Sequence, residues 1–73
     1  MTETDFSHDN ASAIVRFKDR VIASHNGSVW IPIACNDSAV DRAVRSAIWT
    51  LPNGAGAEDM RREIASLAIA LGG

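Results

Sequence analysis

The sequence predicts an α+β domain: a short antiparallel meander or hairpin over about 13–34, packed against two antiparallel helices over about 38–51 and 57–71. Three observations predict it. Asn26-Gly27 stands between two runs rich in Val, Ile, Phe and Trp, and such a dipeptide supplies the positive φ of a tight hairpin turn. Two later segments carry apolar residues at helical spacing. Pro52-Asn53-Gly54 separates those segments, and Gly72-Gly73 closes the second.

Residues 1–11 are polar, acidic and without periodicity, which predicts a mobile tail ahead of a single domain at 12–73, with Phe6 as its one anchor. Over 12–35 two readings compete. In the first, Ala13 to Phe17, Arg20 to Ser24 and Ser28 to Ala34 are strands, joined by a turn near Lys18-Asp19 and by Asn26-Gly27. Pro32 has no N–H to give a ladder, so the last strand lies at an edge or bends there. In the second, Asn10 to Ser24 is a helix with Ile14, Phe17 and Val21 on one face and Gly27 near its C-cap. The β-branched content favours strands, and the sequence alone leaves the choice between the two open.

The first helix opens at Asn36-Asp37-Ser38, where Ser38 with Asp41 resembles a capping box carrying Asp in place of Glu. Its core stripe is Val40, Ala43, Val44, Ala47, Ile48 and Leu51, and Pro52 ends it. Met60, Ile64, Leu67 and Leu71 form the stripe of the second helix, with Glu58, Asp59, Arg61, Arg62 and Glu63 away from it. Each helix carries one apolar residue on the wrong side. Trp49 lies about 180° from Val40, and Ile69 about 180° from Met60. Trp is enriched at the energetic centres of interfaces, so both are candidate partner anchors. Val29-Trp30-Ile31-Pro32-Ile33 is apolar on both strand faces, which makes Trp30 either core or part of an interface.

Seventy-three residues make one domain with little margin over conformational entropy, and about a third of the 47% hydrophobic content is alanine, beside two Trp, two Phe and no Tyr. A second subunit or a docked partner would add what such a core lacks, so a homodimer is expected. The formal charge of -2, with basic residues interleaved among acidic ones, disfavours autonomous nucleic-acid binding. One cysteine permits no intrachain disulfide, and an acidic N-terminus without an apolar run is no signal peptide. The expectation is a soluble cytoplasmic protein that meets no membrane.

No catalytic or metal motif stands out. Cys35, His8 and His25 are the only soft or imidazole groups and lack ligand spacing, so neither a metal nor another cofactor is expected. Gly54-Ala55-Gly56 follows a helix and lacks the strand and Lys-Ser/Thr of a phosphate loop. The Gly-Gly end is similar to that of ubiquitin-like modifiers, whose tails leave a strand, whereas this one stops a helix. The two helices resemble a helix-turn-helix only loosely: their connector is long, and Glu58 and Asp59 stand where phosphate contacts belong.

In size, acidity and lack of catalytic groups, the chain resembles the small phage- or mobile-element-encoded inhibitors of bacterial defence, anti-CRISPR proteins among them. The resemblance implies a non-enzymatic, stoichiometric inhibitor that docks on a nuclease or CRISPR surveillance complex and blocks access of nucleic acid or effector. Asp37, Asp41, Glu58, Asp59 and Glu63 are then the acidic contacts, with Trp49, Ile69 and Trp30 as apolar ones. The alternative is a small dimeric DNA-binding regulator or antitoxin-like protein. An enzyme or accessory subunit using the Cys35 thiol is a further possibility.

Overall fold

The computed structural model describes residues 6–9 and 13–72. Four antiparallel strands, β1 (Phe6–Asp9), β2 (Ile14–Phe17), β3 (Arg20–His25) and β4 (Trp30–Pro32), form a meander in the order β1-β2-β3-β4. Helices α1 (Ser38–Thr50) and α2 (Ala57–Ala70) follow and pack against the sheet and against each other. The fold is therefore the α+β arrangement expected from the sequence, and 14–17 and 20–25 form strands rather than a helix.

One strand was not anticipated. β1 lies inside the stretch read as a mobile tail, and Phe6 opposes Phe17 across the β1–β2 ladder, with ring centroids 4.8 Å apart. That contact buries Phe6 and supplies the sheet with a fourth strand. Four residues with one large apolar side chain give no readable alternation, so the pairing decides the element.

Both expected turns are present, but the tight type I′ geometry falls at Lys18-Asp19 and not at Asn26-Gly27. The two-residue hairpin loop is Lys18-Asp19, where both residues take positive φ, 51° and 67°, as a type I′ turn requires. Asn26-Gly27 sits instead in a four-residue loop between His25 and Trp30. There the Asn26 side-chain oxygen accepts from the Ser28 and Val29 N–H groups at 2.9 and 3.0 Å, and only Gly27 has positive φ.

A bulge shapes the core face. Val15 opposes Ala23 while Arg16 opposes Val21, which leaves Ile22 as the extra residue on β3. Adjacent Ile22 and Ala23 are consequently both fully buried, which strict alternation forbids. With Val15, Trp30 and Phe6 they meet Val40, Ala43, Val44 and Ala47 of α1 and Met60, Ile64 and Ala68 of α2. The row Ile14, Ser24 and Ile31 points to the opposite face.

α1 begins one residue away from the expected cap. Asp37, not Ser38, is the N-cap: its carboxylate accepts from the N–H groups of Ala39 and Val40 at 3.0 and 3.2 Å. Gly56 caps α2 without a side chain, and Gly72, at φ 93°, turns the chain out of α2.

Candidate functional site

α1 buries Val40, Ala43, Val44 and Ala47, so its outward face runs through Arg42, Arg45, Ser46 and Trp49. Trp49 is 91% exposed, and no described residue folds over it. A shallow groove of about 400 Å³ follows this face, lined by Arg42, Arg45, Ser46, Trp49 and Thr50. Arg45 holds Asp41 at 3.2 Å one turn earlier, whereas Arg42 makes no ion pair among the described residues. The sequence reading missed these arginines as neighbours of the indole. Their spacing, three and seven residues before Trp49 for Ser46 and Arg42 and four for Arg45, contains the signal, since it defines one helix face.

A second groove, of about 460 Å³, lies where the connector meets α2. Leu51, Pro52, Gly54 and Ala55 form its connector wall, and Asp59, Arg62, Glu63 and Ser66 its helical wall. Glu58 occupies the Arg62 guanidinium at 2.9 Å, one turn away along α2. Asp59 and Glu63 make no ion pair among the described residues, so the groove's uncompensated charge is negative.

Two hydrogen bonds hold the connector in place. The Trp30 indole donates from Nε1 to the Ala55 carbonyl at 3.0 Å, and His25 Nε2 donates to the Asn53 carbonyl at 2.8 Å. His25 Nδ1 accepts from the Gly27 N–H at 3.1 Å. A carbonyl only accepts and an amide N–H only donates, so these partners select the neutral Nε2–H tautomer. The imidazole also meets the Trp30 ring edge-on, with centroids 5.2 Å apart.

The candidate residues do not form one patch. Antiparallel packing brings Glu58 and Asp59 to the Trp49 end of the helical pair and leaves Asp37, Asp41 and Ile69 toward the other, roughly 12–18 Å away by helical rise. Ile69 is 56% exposed there, beside Leu71. Asp37 is engaged as a cap and Asp41 by Arg45. Trp30 is 4% exposed and belongs to the core, so it offers a partner no surface. Ile31, its neighbour on the other sheet face, is 39% exposed with Val29 and Ile33 at similar levels.

Cys35 is a free, half-buried thiol packed at the edge of the core, beside Phe17, Lys18 and Arg20. His8 belongs to β1 and His25 ends β3, and among the described residues no three His, Cys, Asp or Glu side chains gather to hold a metal ion. No described helix is long and apolar enough to cross a membrane. Comparison with protein-family models, with curated proteins and with solved structures found no match.

Proposed function

We propose that the protein is a non-catalytic docking module that engages a protein partner through the Trp49 end of its helical pair. The observation that carries this reading is the 91% exposure of an indole in a capped helix. A tryptophan in water forgoes the area its burial would remove, and such residues dominate binding energy where interfaces form.

The partner is a nucleic-acid-handling bacterial defence complex, which the protein inhibits stoichiometrically in the cytoplasm by blocking nucleic acid or effector, as its resemblance to anti-CRISPR-type inhibitors implies. Asp59 and Glu63 support this reading, because basic nucleic-acid channels attract carboxylates over long range. Affinity capture from the host lysate tests it. The tagged protein should recover one defence complex whether or not nuclease is added, and Trp49→Ala should abolish recovery while far-ultraviolet circular dichroism is unchanged. Recovery that survives Trp49→Ala would overturn the assignment.

A small dimeric DNA-binding regulator is the second reading, favoured by the proximity of Arg42 and Arg45 to the exposed indole. It requires capture that disappears on nuclease treatment and duplex binding that weakens steeply with salt.

A further inference from the structure

We propose that, away from its partner, the protein covers Trp49 with a second copy of itself, each indole entering the other molecule's groove between the connector and α2. This inference rests on the reading of Trp49 as an interface anchor and adds what occupies the anchor when the foreign partner is absent.

Charge selects the occupant. The anchor's face carries Arg42, free of ion pairs among the described residues, and Arg45, whose charge Asp41 offsets. The groove presents Asp59 and Glu63, which have no such partner, and Arg62, whose charge Glu58 offsets, around an apolar wall of Leu51 and Pro52. At about 460 Å³ the groove falls within the range of cavities that enclose small organic molecules, and an indole is one of the smaller of these. The two halves of the contact are thus a cationic rim around a ring and an anionic rim around a slot.

Topology makes the contact reciprocal. Leu51 and Pro52 follow Trp49 by two and three positions, so anchor and groove adjoin at one end of the molecule. A two-fold axis through that end seats both indoles at once and closes the assembly at two copies. An anchor and a groove at opposite ends would instead build an open chain. Two indoles at about 150–250 Å² each make a small interface, which places the dimer among weak, exchanging contacts that a better-fitting partner displaces.

Sedimentation equilibrium of the full chain, from low micromolar to submillimolar concentration, tests the inference directly. The expected result is a concentration-dependent monomer–dimer equilibrium, with tryptophan emission moving to shorter wavelength as dimer forms, because Trp30 is already buried and Trp49 alone changes environment. Trp49→Ala should leave a monomer. Arg42→Glu/Arg45→Glu and Asp59→Lys/Glu63→Lys should each weaken self-association by at least about tenfold. An equimolar mixture of the two reversed variants should restore dimers, since each face then meets a groove of opposite sign. In wild-type protein, molar salt should dissociate the dimer, an arm that needs no variant to fold. A wild-type monomer at every concentration, or a dimer that survives Trp49→Ala and the charge reversals, overturns the inference. Its failure is distinguishable from failure of the docking reading. A monomer whose capture of a defence complex still needs Trp49 overturns only the dimer, and a Trp49-dependent dimer whose capture ignores Trp49 overturns only the docking role.

Discussion

The two tryptophans of this chain have opposite environments, and the difference is measurable. Trp30 packs in the core and donates its indole hydrogen to the Ala55 carbonyl, so Trp30→Ala should cost about 3–5 kcal/mol of stability by lost burial. Trp30→Phe should cost less, since it keeps most of the burial, but it leaves the Ala55 carbonyl without its partner. Trp49→Ala, with nothing packed over the ring, should stay within about 0.5 kcal/mol. Urea titrations of the three variants at one low protein concentration, where the dimer is absent, check this ranking. If Trp49→Ala proves as costly as Trp30→Ala, the indole is packed in solution and is no exposed anchor. Backbone conformation gives a second residue-level expectation. Lys18 and Asp19 both hold positive φ, which costs L-residues with a Cβ free energy that Asn and Gly largely avoid. Lys18→Asn/Asp19→Gly should therefore raise stability by about 1 kcal/mol, seen as a higher urea midpoint at constant m value. Gly27 is the converse case: a Cβ there meets nothing within 4 Å, yet φ is 98°, so Gly27→Ala should destabilise by about 1 kcal/mol through backbone strain alone.

At the scale of the element, the start of α1 separates three cap-forming residues that stand side by side. Asn36, Asp37 and Ser38 are all good N-cap residues, and a string of them does not reveal which one leaves the helical conformation. The hydrogen bonds to Ala39 and Val40 identify Asp37. Asp37→Ala should cost about 1 kcal/mol and Ser38→Ala only a few tenths, a contrast readable by thermal melts. The reverse order would assign the cap to Ser38. α2 has the complementary weakness: Gly56 occupies its cap at φ −75° and supplies no side-chain acceptor. Gly56→Asp should stabilise by a few tenths of a kcal/mol, because the conformation suits any residue and a Cβ meets nothing nearby. The Asp41–Arg45 and Glu58–Arg62 pairs are exposed pairs at i,i+4 spacing and contribute about 0.3–0.5 kcal/mol each. Helix bounds were readable to within a residue or so, since periodicity, Pro52 and the terminal glycines are local signals. Turn assignments were less secure: Asn26-Gly27 suits a two-residue turn, but the pairing of His25 with Trp30 leaves four residues to bridge.

For the whole molecule, β1 is the test of what holds the sheet on the helices. Phe6 is buried against Phe17 at the sheet's edge, while α2 packs over β1 and β2. Phe6→Ala should cost about 3 kcal/mol and expose the slow-exchanging amides of β2 to solvent, a result hydrogen exchange reads strand by strand. Protection in β2 unchanged by that substitution would make β1 an appendage rather than part of the cooperative unit. His25 and Trp30 tie the β3–β4 hairpin to the connector that walls the acidic groove, so the groove's shape depends on the sheet as well as on the helices.

Two helices, the buried stripe of α1, the helix stops and the outward position of Trp49 follow from the sequence alone, because each is a relation among residues within a few turns of one another; the stripe of α2 follows only in part, since Met60 and Ile64 are buried with Ala57 and Ala68 while Leu71 is exposed. Tertiary structure decided the rest, where the relation is between distant residues. Ala13 to Ser24 satisfies either a strand or a helix until Val15 pairs with both His8 and Ala23. Ile22 and Ala23 share the core only through a bulge that the neighbouring strand imposes. The arginines beside Trp49 and the carboxylates across the connector became two faces of opposite sign once the helices folded back. Periodicity records which side of an element is apolar, but it carries no information on which surface the folded chain brings opposite that side.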